Sequence, residues 1–363
     1  MSGNRLKVEI EKAILSISRS VVIIASLFVI VALVFIGTLI DLGMRAGQSS
    51  LAPTDQPSSS GTALSPVAAQ PQSGEASTTL WTAPEASSTL HAGNDGEEIL
   101  YGKDLITNTS AYFGPNGKVS AISNGMNCQN CHLDAGTKPW GNNYSAVYST
   151  YPKFRARSGT KETIVKRISD CFERSLNGRA PDSTGKEMKA MLAYMQWLGT
   201  GIQKGQTPEG AGIQNLVYLD RAADSKKGAI VYSGKCQSCH AQNGEGLANP
   251  AKTGYLYPPL WGKHSYNDAA GLFRLSRFAG YVKNNMPLGA THENTQLSNE
   301  EAWDVAAYVN SQTRPHRNQK NDWKDVSKKP VDFPFAPYAD KFSVAQHKYG
   351  PYEPIKEFYK NAN

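Results

Sequence analysis

The residues best equipped for chemistry are five cysteines and the histidines beside two of them. Four of the cysteines form two Cys-x-x-Cys-His motifs, Cys128, Cys131, His132 and Cys236, Cys239, His240. That spacing reads as covalent c-type haem attachment. Two thiols bond the vinyl groups, and the adjacent His ligates the iron. A zinc site needs more convergent Cys and His ligands than each motif offers. A thioredoxin-like dithiol does not require the fixed His. Two motifs therefore predict two haem c groups.

Cys171 is left over, with no partner for a disulfide. It is an iron ligand, a reactive thiol or buried filler. Residues 166–175 read as one helix in which Arg167, Cys171 and Ser175 are spaced four apart. Their side chains share one row. Ile164, Ile168, Phe172 and Leu176 form an apolar row one step round, and Gly178 is the expected helix stop. The polar row presents a cation, a sulfur and a hydroxyl. A cation one turn away favours a thiolate, and coordination deprotonates a thiol outright.

Each iron needs a sixth ligand or an open position. Cys171 follows His132 by 39 residues, where the distal ligand of a short cytochrome domain falls. In the second lobe the candidate is Met286, 46 residues after His240 and followed by Pro, with His264 and His292 as rivals. A thiolate lowers the potential of haem iron and a thioether raises it, as a relay requires.

The surrounding elements must position these groups. With 363 residues there is room for two domains, and 19% charged residues with 32 Gly and 20 Pro suit a loop-rich fold. The net charge is +7, but no dense basic run carries interleaved aromatics, so nucleic acid is excluded as a partner. Residues 1–20 are an expected cytoplasmic N-terminus carrying Arg5, Lys7, Lys12 and Arg19. Residues 21–40 lack charge, and at the helical rise they span roughly 30 Å. A transmembrane anchor over 21–43 is expected, with the haem domains in the periplasm of a bacterium. Residues 44–79, rich in Ser, Thr, Ala, Gln and Pro, read as a flexible tether.

The first lobe, 80–212, holds the first motif, the Cys171 helix and a helix over 185–198 with Met188, Met191, Leu192 and Met195 at core spacing. The second, 213–313, reads as a helix over 219–232, the second motif, a helix over 268–283, Met286-Pro287 and a last helix opened by a capping box at Ser298. This is the order of a class I cytochrome c, so the fold class is mainly α, with two tandem lobes. Residues 314–363 form a Pro- and aromatic-rich extended arm expected to press on the lobes.

The chain resembles the dihaem thiosulfate dehydrogenases of the tetrathionate-forming type. The resemblance rests on Gly125-Met-Asn-Cys-Gln-Asn-Cys-His-Leu-Asp-Ala-Gly136, Phe154-Arg-Ala-Arg-Ser158, residues 167–178, Met195-Gln-Trp-Leu198, residues 236–240, Asn285-Met-Pro287 and the Pro-Tyr-rich tail. It covers roughly residues 80–355. The family implies His132 and Cys171 on the first iron and His240 and Met286 on the second. It implies a substrate pocket of Arg157, Arg167, Ser175 and Gln196. Where some relatives have Lys before the Met, this chain has Asn285.

The resemblance implies that two thiosulfates join to give tetrathionate. Two electrons then pass to an external acceptor such as a small cytochrome c or an oxidase. Cys171 is open to two roles, iron ligand or nucleophile toward the outer sulfur. The alternatives are a tetrathionate reductase of the same family and a non-catalytic dihaem electron-transfer subunit.

Overall fold

The computed structural model describes residues 80–85, 94–251 and 253–361. The expected anchor over 21–43 and tether over 44–79 lie outside the described residues. Among the described residues, no helix is long and apolar enough to cross a membrane.

In the first lobe, α1 (Asn94–Thr107) is followed by the first haem motif and a small antiparallel hairpin, β1 (Lys153–Arg155) and β2 (Thr160–Glu162), with Phe154 opposite Lys161. Then come α2 (Ile164–Arg174) and α3 (Lys186–Leu198). In the second lobe, α4 (Ser225–Lys235) leads into the second motif. The two-stranded pair β3 (Leu247–Ala248) and β4 (Tyr255–Tyr257) precedes α5 (Leu275–Asn285) and α6 (Asn299–Ser311).

The lobes are built alike. In each, the helix before the motif packs against the last helix, α1 on α3 and α4 on α6. A glycine sits at each crossing. A Cβ on Gly102 would lie 2.0 Å from the Ala190 carbonyl oxygen, and one on Gly228 would lie 1.9 Å from that of Asp304. Only a bare backbone lets the helices approach this closely. Met188, Met191 and Leu198 are buried in one core, and Trp303, Ala306 and Val309 in the other. Fully burying each large apolar side chain contributes about 1.5–3 kcal/mol.

Helix ends follow local chemistry. Thr163 caps α2 by accepting from the Lys166 amide, and the Ser298–Glu301 capping box opens α6 as expected. Gly178 has a different reason from the one expected. The left-handed residue after α2 is Asn177, at φ 44°. Gly178 stands where a Cβ would come within 1.9 Å of the Ile122 carbonyl oxygen.

Two expected helices begin later. The 219–232 helix starts at Ser225, because the Asp224 carboxylate caps it and the Asp304 carboxylate takes the Asp224 amide and the Arg221 guanidinium. The 268–283 helix starts at Leu275, after a 3-10 turn at Gly271–Phe273. There the Asp332 carboxylate binds Arg274 and Ser276.

The arm is only partly extended and ends in α7 (Val344–Tyr349) and α8 (Glu353–Asn361). Tyr352 and Ile355 are buried in the second-lobe core, and Trp323 meets Phe333 edge-on with ring centroids 5.1 Å apart. The lobes are tied by polar contacts: Tyr281 Oη donates to Asn130 O at 3.0 Å, and Asn285 Nδ2 to Trp140 O at 3.1 Å.

Candidate functional site

The first motif is held from behind. Buried Thr109 accepts from the Cys128 amide at 3.0 Å, and Asn127 and Asn130 exchange caps across the motif's 3-10 turn. His132 Nδ1 lies 2.5 Å from the Asn142 carbonyl oxygen, and the Tyr144 ring stacks on the imidazole at 4.4 Å. Burial is the main force pulling the His132 pKa down to about 4; the Asn142 bond opposes it and Arg167 adds to it. The ring is therefore neutral near pH 7. Donating from Nδ1, it keeps its Nε2 lone pair for a metal.

A cavity of about 150 Å³ opens beside it, lined by Cys128, Cys131, His132, Arg167, Cys171 and Ser175, with Ile164, Ile168, Phe172, Leu176, Met191 and Met195. Both rows of α2 thus serve one cavity: the apolar row walls it and the polar row furnishes it. The Arg167 pKa is raised, most of all by the neighbouring Cys171 sulfur, against the opposing cost of burial. Arg167 therefore remains a cation beside the Cys171 sulfur.

The second cavity, about 460 Å³, is lined by Cys236, Cys239, His240 and Met286, with Leu272, Phe278, Val282, Val305 and Val309. His240 Nδ1 lies 2.8 Å from the Pro258 carbonyl oxygen, and burial lowers its pKa. His264 and His292 do not line this cavity, whereas Met286 does. Cys131, Asn130 and Leu133 from the first motif also line it, so Cys131 faces both cavities. Each cavity offers paired thiols, a neutral anchored imidazole, a soft sulfur donor and apolar walls. This donor set fits haem c.

Two sequence candidates lie apart. Gln196, on α3 next to the cavity-lining Met195, is exposed and outside the first lining. Arg157, in the turn between β1 and β2, lines a neighbouring polar hollow with Lys166, Arg174 and Asp322. Burial, then Arg174 and Arg167, pull its pKa down to about 10.

Asn142, Tyr144 and Pro258 had no separate signal in the sequence. Two of them act through backbone carbonyls, which any residue supplies. Tyr144 is one aromatic in a run of several.

Residues 118–203 match the family profile described as SoxA/TsdA, cytochrome c domain, and residues 225–313 match cytochrome c. A thiosulfate dehydrogenase of Allochromatium vinosum is 39% identical over 245 residues, covering 66% of this chain and 87% of the relative. A thiosulfate dehydrogenase of Stutzerimonas stutzeri is 35% identical over 232 residues, covering 64% of this chain and 72% of the relative. A solved structure titled thiosulfate dehydrogenase (TsdBA) from Marichromatium purpuratum, in its as-isolated form, superposes with a TM-score of 0.61 at 30% identity. That match covers 75% of this chain and 54% of the other, so this chain spans about half the length of that protein. The two cytochrome c domains carry two covalently bound haem c groups. On these similarities and on the two cavities above, the chain belongs to the thiosulfate dehydrogenase family.

Proposed function

We propose that this protein oxidises thiosulfate, joining two molecules through their outer sulfurs to give tetrathionate and two electrons. His132 and Cys171 would hold the first haem iron, and His240 and Met286 the second. Haem c supplies one-electron storage at each site when bound. One observation carries the reading: Arg167, Cys171 and Ser175 line the same cavity as Cys128, Cys131 and His132.

The chain's own residues supply the rest. Two dianions repel strongly where water is excluded, and a guanidinium offsets that cost. Arg167 provides it inside the cavity, and Arg157 stands in the adjoining hollow. Ser175 can donate to a sulfonate oxygen. Ile168, Phe172 and Met195 keep the surroundings apolar, which strengthens each charged contact. Cys131, lining both cavities, makes the two sites neighbours.

The acceptor in this reading is external, a small cytochrome c or an oxidase. The uncharged segment 21–40 behind a basic N-terminus supports a single-pass anchor in the bacterial inner membrane, with the lobes in the periplasm. A pure electron carrier has no use for a cation and a hydroxyl beside a cysteine sulfur.

Adding thiosulfate to the oxidised protein should reduce its haems, read as a shift of the haem absorption bands. Cys171→Ala should keep both haems attached and lose turnover at least about a thousandfold. Retained turnover would remove the cysteine from the reaction.

A further inference from the structure

Arg174 and Asp322 meet in a two-point fork of 2.7 and 2.9 Å, with side chains only 10% and 12% exposed. The fork cancels the Arg174 charge with a residue from the C-terminal arm. The next arm residue, Trp323, donates its backbone N–H to the Arg157 carbonyl at 2.7 Å. Its ring lies 5.7 Å from Arg157 Cζ, within range of a cation–π contact. Trp323 is 8% exposed and held at φ 58°, a backbone conformation rarely adopted by bulky residues.

Arg157 itself makes no ion pair among the described residues, and its enclosed Nε has no hydrogen-bond partner. The enclosed Arg174 Nε and Trp323 Nε1 are likewise unpaired. Enclosed donors without acceptors are costly. A surplus of N–H donors and one uncancelled guanidinium is the chemistry that recognises an oxyanion.

We propose that the Asp322–Trp323 step of the C-terminal arm is a positioning element for Arg157, so that the arm completes the substrate-binding site. Asp322 neutralises Arg174, leaving one free guanidinium in the hollow. Trp323 fixes that guanidinium by its ring and by its hold on the Arg157 backbone. The proposal rests on the reading that Arg157 meets the thiosulfate anion.

The test compares Trp323→Leu and Trp323→Phe in the haem-loaded full chain, each with Arg157 and with Arg157→Gln. Thiosulfate oxidation is measured at steady state, together with the haem absorption spectrum. Trp323→Leu should raise KM about fivefold, with kcat within about twofold and the spectrum unchanged. Trp323→Phe, which keeps an aromatic face, should restore most of the affinity. In the Arg157→Gln background, Trp323→Leu should add nothing. If the Leu variant does not accumulate, Trp323→Met, closer in volume but without a ring, carries the same expectation. An unchanged KM in the ringless variants overturns the proposal, as does an equal rise in both backgrounds. If Arg157→Gln raises KM while the ringless variants do not, only the positioning role fails. If Arg157→Gln leaves KM unchanged, the reading of Arg157 fails and the proposal goes with it.

Discussion

The two lobes share one scaffold and differ in how their cavities are furnished. Each crosses a glycine-bearing helix with its last helix, and each anchors the motif histidine on a backbone carbonyl, Asn142 in the first and Pro258 in the second. The first cavity then receives Arg167 and Cys171 from α2 and Ser175 from its C-terminal cap. The second receives Met286 from the end of α5 amid Leu272, Phe278, Val282 and Val309. A cation and a hydroxyl beside a sulfur suit an anion, whereas a thioether among hydrocarbon side chains suits electron relay. What separates the proposed substrate site from the proposed relay is the helix set between motif and last helix, not the scaffold.

That contrast can be broken from its polar side first. Arg167→Gln should lower kcat/KM for thiosulfate by about a hundredfold, because a charged partner is lost inside an enclosed cavity. The check is steady-state kinetics with both haems quantified. A change under about threefold would leave the first cavity without its assigned cation. On the relay side, Met286→Leu should spare the first rapid reduction by thiosulfate and slow steady-state turnover about tenfold. Stopped-flow absorbance separates the two phases. Loss of the rapid phase would put Met286 in substrate chemistry instead.

The smallest effects should be shared by the lobes. Gly102→Ala and Gly228→Ala each force a Cβ into a helix crossing, at 2.0 and 1.9 Å from a carbonyl oxygen. Each should cost about 1–3 kcal/mol of stability, read from denaturant titration. Activity per folded molecule should stay constant. A cost at one crossing and none at the other would show that the repeat is not energetic.

Much of this was legible in the sequence because covalent chemistry leaves fixed spacings. The two Cys-x-x-Cys-His motifs, the four-residue row through Cys171 and the Ser298–Glu301 box each depend on local geometry alone. Helix starts at Ser225 and Leu275 were harder to read. They are set by Asp304 and Asp332, carboxylates 80 and 56 residues away from the amides they hold. The arm's two helices and its contact with Arg157 were hidden for the same reason, since Trp323 meets the hairpin turn only after folding. Gln196 fits the resemblance by position, yet its side chain lies on the exposed side of α3.

The central claim is that the Cys171 sulfur serves the first haem, within reach of a guanidinium. Near-infrared and EPR spectra of the oxidised protein, recorded beside those of Cys171→Ala, test it most directly. The account predicts a thiolate-ligation signature on one of the two haems that disappears in the variant, while the His240/Met286 signature stays. Identical spectra from the two proteins would contradict it.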